Sequence, residues 1–181
     1  MIKIFDNSAV SSTGRDIKSM DVMECIKIEY DVRITIGVVA ECNNSKHPDN
    51  SKLLNGLNVI SHMGDNFDKI VKHLLKKYKR IGRGETESIA ASILLASNGI
   101  KNYLILDEKF ARNVVSKIRN DCEIKKIIGE PIPEIYLSGT IGLINHLKEK
   151  GILTKEQTST IADDLQKSTF RINDELLSLL R

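Results

Sequence analysis

Asp6, Glu41, Glu85 and Asp107 lie far apart in the chain, yet each follows the same local pattern. The apolar run that opens at Met1 with Ile2, Ile4 and Phe5 is cut off at Asp6, with Asn7 and Ser8 behind it. Tyr103-Leu-Ile-Leu106 is a second such run, and Asp107-Glu108 follows at once. Arg33-Ile-Thr-Ile36 is a third, and Glu41 stands about one turn into the segment Gly37–Cys42 beyond it. Glu85 and Glu87 enter a helix of small and apolar residues, Gly84 to Ala96. If the strands are parallel, these acids meet at the carboxyl edge of the sheet, where ligands of open α/β folds bind. Carboxylates gathered there raise one another's pKa, and a hard cation relieves the conflict. Oxygen ligands without a His or Cys constellation suit Mg²⁺ or Mn²⁺ rather than zinc. Such an ion generates a nucleophilic water and stabilises charge on a phosphoryl oxygen.

Each acid also has a plain structural reading. Asp6 can start a turn or cap a helix, as Asp, Asn and Ser do well. Glu41 can be a solvated acid on a surface helix. Glu85 and Glu87 in a first helical turn favour the dipole and can cap exposed amides. Competing chemistries lack their residues: there is no P-loop, no GxGxxG and no GxSxG. A phosphatase with an aspartyl nucleophile needs an acid two residues after Asp6, and Ser8 stands there. His47, His62, His73 and His146 form no motif. Just before Gly84 comes a basic run, Lys69, Lys72, Lys76, Lys77, Lys79, Arg80 and Arg83. It reads either as a solvated helix face or as the cationic strip that an enzyme on a phosphodiester backbone needs.

The elements that would position these groups follow a βαβ rhythm, which argues for a parallel sheet with right-handed crossovers. Strands are expected at Ile2–Phe5, Arg33–Ile36, Asn58–Ile60 and Tyr103–Leu106, with Ile127-Ile128 as a possible last one. Gly14 to Tyr30 carries apolar residues at helical spacing and is expected as one amphipathic helix. Further helices are expected from Gly37, over Asp65–Tyr78, Gly84–Ala96 and Lys109–Ile118, with a loop at Asn43–Asn50 that contains Pro48. After the break at Glu130-Pro-Ile-Pro133 only helices are expected: Ser138–Lys150, Lys155–Gln166 capped by Thr154, and Asn173–Leu180. This divides the chain into an α/β domain, residues 1–135, and a helical extension packed on it, residues 136–181.

Composition bounds the rest. A chain of 181 residues with 41% apolar and 28% charged residues suits one globular domain with a real core. It has no Trp and few aromatics, which disfavours base-stacking platforms of the RRM or OB kind. Cys25, Cys42 and Cys122 lack CxxC spacing, which fits a reducing cytoplasm better than a disulfide framework or a zinc site. Asp6 interrupts the first apolar run too early for a signal peptide, and no apolar run is long enough to span a membrane.

Taken together, Asp6-Asn-Ser8, Val38-Val-Ala-Glu41, Gly84-Glu-Thr-Glu-Ser-Ile-Ala90 and Leu104-Ile-Leu-Asp-Glu-Lys-Phe-Ala-Arg112 resemble a PIN domain. The similarity is to the prokaryotic branch with a Gly-Glu-x-Glu-x-Ile helix. Ser138-Gly-Thr-Ile-Gly-Leu-Ile144, Lys148, Gly151, Ile152 and the segment Phe170-Arg171-Ile172 also resemble that branch. The resemblance implies a three-layer α/β/α sandwich with a parallel central sheet, and a Mg²⁺- or Mn²⁺-dependent endoribonuclease that hydrolyses RNA. It implies Asp6 as the central metal ligand oriented by Ser8, with Glu41, Glu85 and Asp107 as the other acids. Glu87 stands as the alternative third acid, and Arg112 either steadies the site, meets a phosphate or forms a surface ion pair. Lys76, Lys77, Lys79, Arg80 and Arg83 are the expected RNA contacts. Many relatives are toxins held by an antitoxin protein, and a homodimer is expected. The alternative is a non-catalytic PIN-like module that binds RNA or protein.

Overall fold

A computed structural model of the chain describes residues 1–45, 50–129, 131–168, 170 and 174–181. Pro48, His47, Glu130, Arg171, Ile172 and Asn173, on which some expectations above fall, lie outside the described residues. The strands are β1 (Ile2–Phe5), β2 (Asp31–Thr35), β3 (Asn58–Ile60), β4 (Asn102–Ile105) and β5 (Tyr136–Ser138). They form one sheet in the order β3-β2-β1-β4-β5, parallel at every pairing. Ile2 pairs with Asp31 on one side and Asn102 on the other, and Phe5 pairs with Ile105.

Between β1 and β2 run α1 (Asn7–Ser11) and α2 (Val22–Glu29), and α3 (Ile36–Asn43) follows β2. α4 (Asp65–Lys77) and α5 (Arg83–Ser97) connect β3 to β4, and α6 (Lys109–Ile118) and α7 (Cys122–Ile128) connect β4 to β5. The chain ends with α8 (Thr140–Glu149), α9 (Lys155–Lys167) and α10 (Asp174–Ser178). Because successive strand residues point to opposite faces, Ile4, Leu104 and Leu106 pack under α4–α7. Phe5, Ile34 and Ile105 pack under the helices of the other face, including α8–α10. The result is a three-layer α/β/α sandwich, buried on both faces as parallel sheets require.

The direction of chain travel decides where a site can lie. The chain moves outward from β1 to β3, then returns to β4 on the opposite side of β1. β1 and β4 are therefore neighbours whose connections leave to different faces. That topological switch opens a crevice beyond their carboxyl ends.

Several expectations need correction. The single helix over Gly14–Tyr30 is instead α1 continued by one π turn, Ser12–Asp16, then a break and α2. Thr13 donates its hydroxyl back to the Ala9 carbonyl (2.6 Å), a competition with the helix ladder that short polar side chains win. Asp21 then caps α2 by accepting the Glu24 amide (3.0 Å). Ile127-Ile128 is not a strand but the end of α7, which Asp121 starts by accepting the Glu123 and Ile124 amides. The last strand is Tyr136–Ser138, so the segment expected to be helical throughout contributes the outer strand of the sheet. Thr154 does cap α9, in a reciprocal box with Gln157.

Asp121 fastens α7 to α4. Its buried carboxylate also takes His73 Nε2 (3.0 Å) and Lys77 Nζ (2.8 Å). Burial alone would raise its pKa, but Lys77, His73 and the Ile124 amide bring it down to about 2. Asp121→Ala should lower stability by about 2–3 kcal/mol at pH 7, by loss of a helix cap and a buried pairing. The contribution should fade in the wild type as pH falls from about 4 towards 2, because the folded carboxylate is more acidic than the unfolded one. Denaturant titration of both proteins across that range checks it.

Candidate metal-dependent active site

Asp6 follows β1 and Asp107 follows β4, so both stand at the switch point. The Asp6 amide donates to the Ile105 carbonyl (3.2 Å), which holds the two strand ends in register. Asp6 is 1% exposed. Its Oδ1 accepts the Ala9 amide (2.7 Å), capping α1, and its Oδ2 accepts the Ser8 hydroxyl (2.7 Å). Burial pushes its pKa up to about 8; the charges of Asp107 and Glu85 add to the rise, while Ser8 and Ala9 oppose it.

Asp107 is turned onto the start of α8. Its Oδ1 accepts the Thr140 amide (2.8 Å) and its Oδ2 accepts the Thr140 hydroxyl (2.6 Å). Thr140 Oγ1 also meets Ser12 Oγ at 2.8 Å. A threonine hydroxyl has one proton, and that of Thr140 goes to Asp107, so Ser12 is the donor in its contact with Thr140. The π turn brings Ser12 there. Thr140 belongs to the Ser138–Ile144 motif of the resemblance, but nothing local in either segment announces its pairing with Ser12 across the molecule. Burial raises the Asp107 pKa, opposed by Thr140 and by Arg112. Arg112 stands beside Asp107 and donates Nη1 to the Leu106 carbonyl (2.8 Å). That bond ties α6 to the residue just before Asp107.

Glu41 and Glu85 meet at the start of α5. Glu41 Oε1 accepts the Gly84 amide (2.7 Å). A Cβ on Gly82 would collide with Glu85 Oε2 and stand 3.2 Å from Glu41 Oε1, so both carboxylates occupy the space this glycine leaves. A Cβ on Gly84 would lie 2.6 Å from Glu41 Oε2, and one on Gly139 would lie 2.7 Å from Asp107 Oδ1. Bare glycines at Gly82, Gly84 and Gly139 thus let these acids approach the backbone. Burial raises the pKa of both Glu41 and Glu85; Glu87 adds to the rise in Glu41, and Glu41 adds to that in Glu85.

Glu87 does something different. It is 4% exposed, and its Oε2 accepts the Gly37 amide at the start of α3 (2.6 Å). Its Oε1 accepts Arg83 Nε (2.7 Å). Both oxygens are thereby committed, Oε2 to joining α5 to α3 and Oε1 to an ion pair within α5. Glu85, whose charge reaches Asp6, is the acid that faces the other carboxylates. Glu87→Ala should therefore cost about 2 kcal/mol of stability, from an orphaned buried amide and a lost ion pair. Glu85→Ala should leave melting temperature unchanged or higher. Thermal melts of the two variants side by side check the distinction.

Comparisons with protein-family models, curated proteins and solved structures find no match. The site therefore stands on its own geometry. Among the described residues, no three His, Cys, Asp or Glu side chains are gathered tightly enough to hold a cation as they stand. Asp6, Glu41 and Asp107 are instead turned onto helix N-termini. The donor set still fits a hard divalent cation: all the candidate donors are oxygen, and Asp6, buried, with the charges of Asp107 and Glu85 bearing on it, is pushed up to about 8.

The expected RNA-binding cations are divided. Lys77 is held by Asp121 and Arg83 by Glu87. Arg80 lies over the Phe110 ring in the first turn of α6, 5.0 Å from its centroid. Lys76 and Lys79 are exposed.

Proposed function

We propose that this chain is a PIN-like, Mg²⁺- or Mn²⁺-dependent endoribonuclease. The observation that carries the reading is the set Asp6, Glu41, Glu85 and Asp107 at the carboxyl edge, with the pKa of each raised by burial. These four would hold the cation. When bound, it supplies a nucleophilic water and stabilises charge on phosphoryl oxygens. Ser8 and the Ala9 amide fix the Asp6 carboxylate, and Thr140 fixes that of Asp107. Arg112 and Lys109 bring positive charge to the Asp107 side, suited to a phosphate oxygen. Arg80, over the Phe110 ring of α6, adds to that charge, and Lys76 and Lys79 are exposed cations in the segment that leads to α5. Restraint by an antitoxin protein and assembly as a homodimer belong to the same reading.

The test is cleavage of end-labelled single-stranded RNA by the purified protein with Mg²⁺ or Mn²⁺. Cleavage that EDTA stops and added metal restores supports the nuclease; cleavage indifferent to EDTA contradicts it. A second reading, a non-catalytic RNA- or protein-binding module, draws on the helix-capping bonds of Asp6, Glu41 and Asp107.

A further inference from the structure

We infer that the cavity beside Asp107 is a nucleotide subsite, taking the base and phosphate of the RNA residue next to the bond cut. The place in the RNA rests on the nuclease reading; the chemistry of the ligand does not. The cavity holds about 460 Å³, and Asp107 is among the residues that line it. That size lies within the range of small-ligand sites, roughly 300–1,000 Å³.

Its walls are of two kinds. Leu137, Ile141, Phe170, Leu176 and Leu179 give it an apolar side, and Leu176 and Leu179 remain 46% and 48% exposed. Lys109 and Arg112, both from α6, also line it. Gly139 and Gly142 keep the turn between β5 and α8 thin: a Cβ on Gly142 would stand 2.7 Å from Ser138 Oγ. An apolar slot with two cations complements a ligand that is flat and apolar at one end and anionic at the other. A wholly apolar ligand would leave the Lys109 charge unused, since Asp107 answers only Arg112, and a nucleotide phosphate supplies the further negative charge. A nucleotide satisfies both walls, its base against Phe170 and the leucines and its phosphate towards Arg112. Stacking of a base on one aromatic ring is sequence-tolerant and needs no extended platform. The C-terminal segment, through Phe170 and α10, thereby acquires a role in substrate selection.

The test uses the full chain, isotope-labelled, in EDTA, titrated with 5′-AMP, 5′-GMP, 5′-CMP and 5′-UMP and followed by NMR. Saturable shifts are expected at Gly139, Gly142 and Asn113, with unequal affinities among the four bases. Phe170→Ala and Leu179→Asp, which alter half-exposed or exposed side chains, should each weaken binding by about tenfold. The same variants should still cleave RNA but with an altered base preference at the cut. Absence of shifts at the cavity, or affinities unchanged in both variants, would overturn the subsite. Shifts with an apolar peptide such as acetyl-Leu-Leu-amide and none with nucleotides would overturn it in favour of peptide docking. Binding without any RNA cleavage would overturn the nuclease reading alone and leave the nucleotide site standing.

Discussion

Asp6→Asn should melt at a higher temperature than the wild type at pH 8, at nearly the same temperature at pH 4, and cleave RNA at least about a hundredfold more slowly. The stability half follows from burial. Asp6 is 1% exposed, and its pKa is pushed up to about 8. An unfolded Asp titrates near 3.9, so between about pH 4 and 8 the folded state holds a proton that the unfolded state has lost. Stability is then fully present below about pH 4 and declines as pH rises towards 8. By this linkage the cost reaches roughly a few kcal/mol at pH 8. Asn has no charge to desolvate, and its Oδ1 can still accept the Ala9 amide while Ser8 turns to accept from Nδ2. The pH slope should therefore flatten in the variant. Added Mn²⁺ should raise the wild-type melting temperature most at pH 8 and leave the variant's unchanged. Scanning calorimetry across pH 4–9, with and without metal, checks all of this.

The second large effect comes from a residue that ionises nothing. Gly82→Ala should keep the fold, because φ −72° and ψ 167° at Gly82 suit any residue. The new methyl, however, takes the space now shared by Glu85 Oε2 and Glu41 Oε1. Both are the far ends of flexible side chains, so they swing away rather than break the backbone. Metal affinity and RNA cleavage should each fall by about tenfold or more, the loss typical when ligand positions shift. If Glu41 and Glu85 serve only as caps, the variant should instead lose stability and keep whatever RNA affinity the protein has. Melting curves and RNA binding measured together separate the two.

Much of this was legible in the sequence, for reasons that differ by element. Asp6 and Asp107 announce themselves because a buried parallel strand is a continuous apolar run, and an acid at its end is conspicuous. The βαβ rhythm then implies which edge they share. α6 and α9 match their patterns because one face is apolar and, in α9, Thr154 and Gln157 form a local cap. The misread stretch, Gly14–Tyr30, has helical spacing on both sides of a break. The break is made by Thr13 bonding back to the helix, and by Asp21 restarting it. β5 has three residues and its pairing with β4 is long-range, so no local signal marks it.

At the site, the choice between Glu85 and Glu87 lay beyond the sequence. Both occupy the first turns of one helix, and only the position of Gly37 fifty residues earlier in the chain decides which is tied down. The roles of Gly82 and Gly139 were equally hidden, since each depends on a carboxylate arriving from another element. Asp-x-x-Glu at Asp21 and Asp121-x-Glu123 were readable cap signals that point to α2 and α7.

The central claim, that the carboxyl-edge acids form a divalent-metal site, is tested most directly by isothermal calorimetry with Mn²⁺ on wild type and Asp6→Asn. The runs should be made at pH 8 and repeated with a short RNA present. Saturable binding to the wild type is expected, with proton release as Asp6 ionises, and none to the variant. Equal binding to both proteins, or none to either even with RNA, would contradict it.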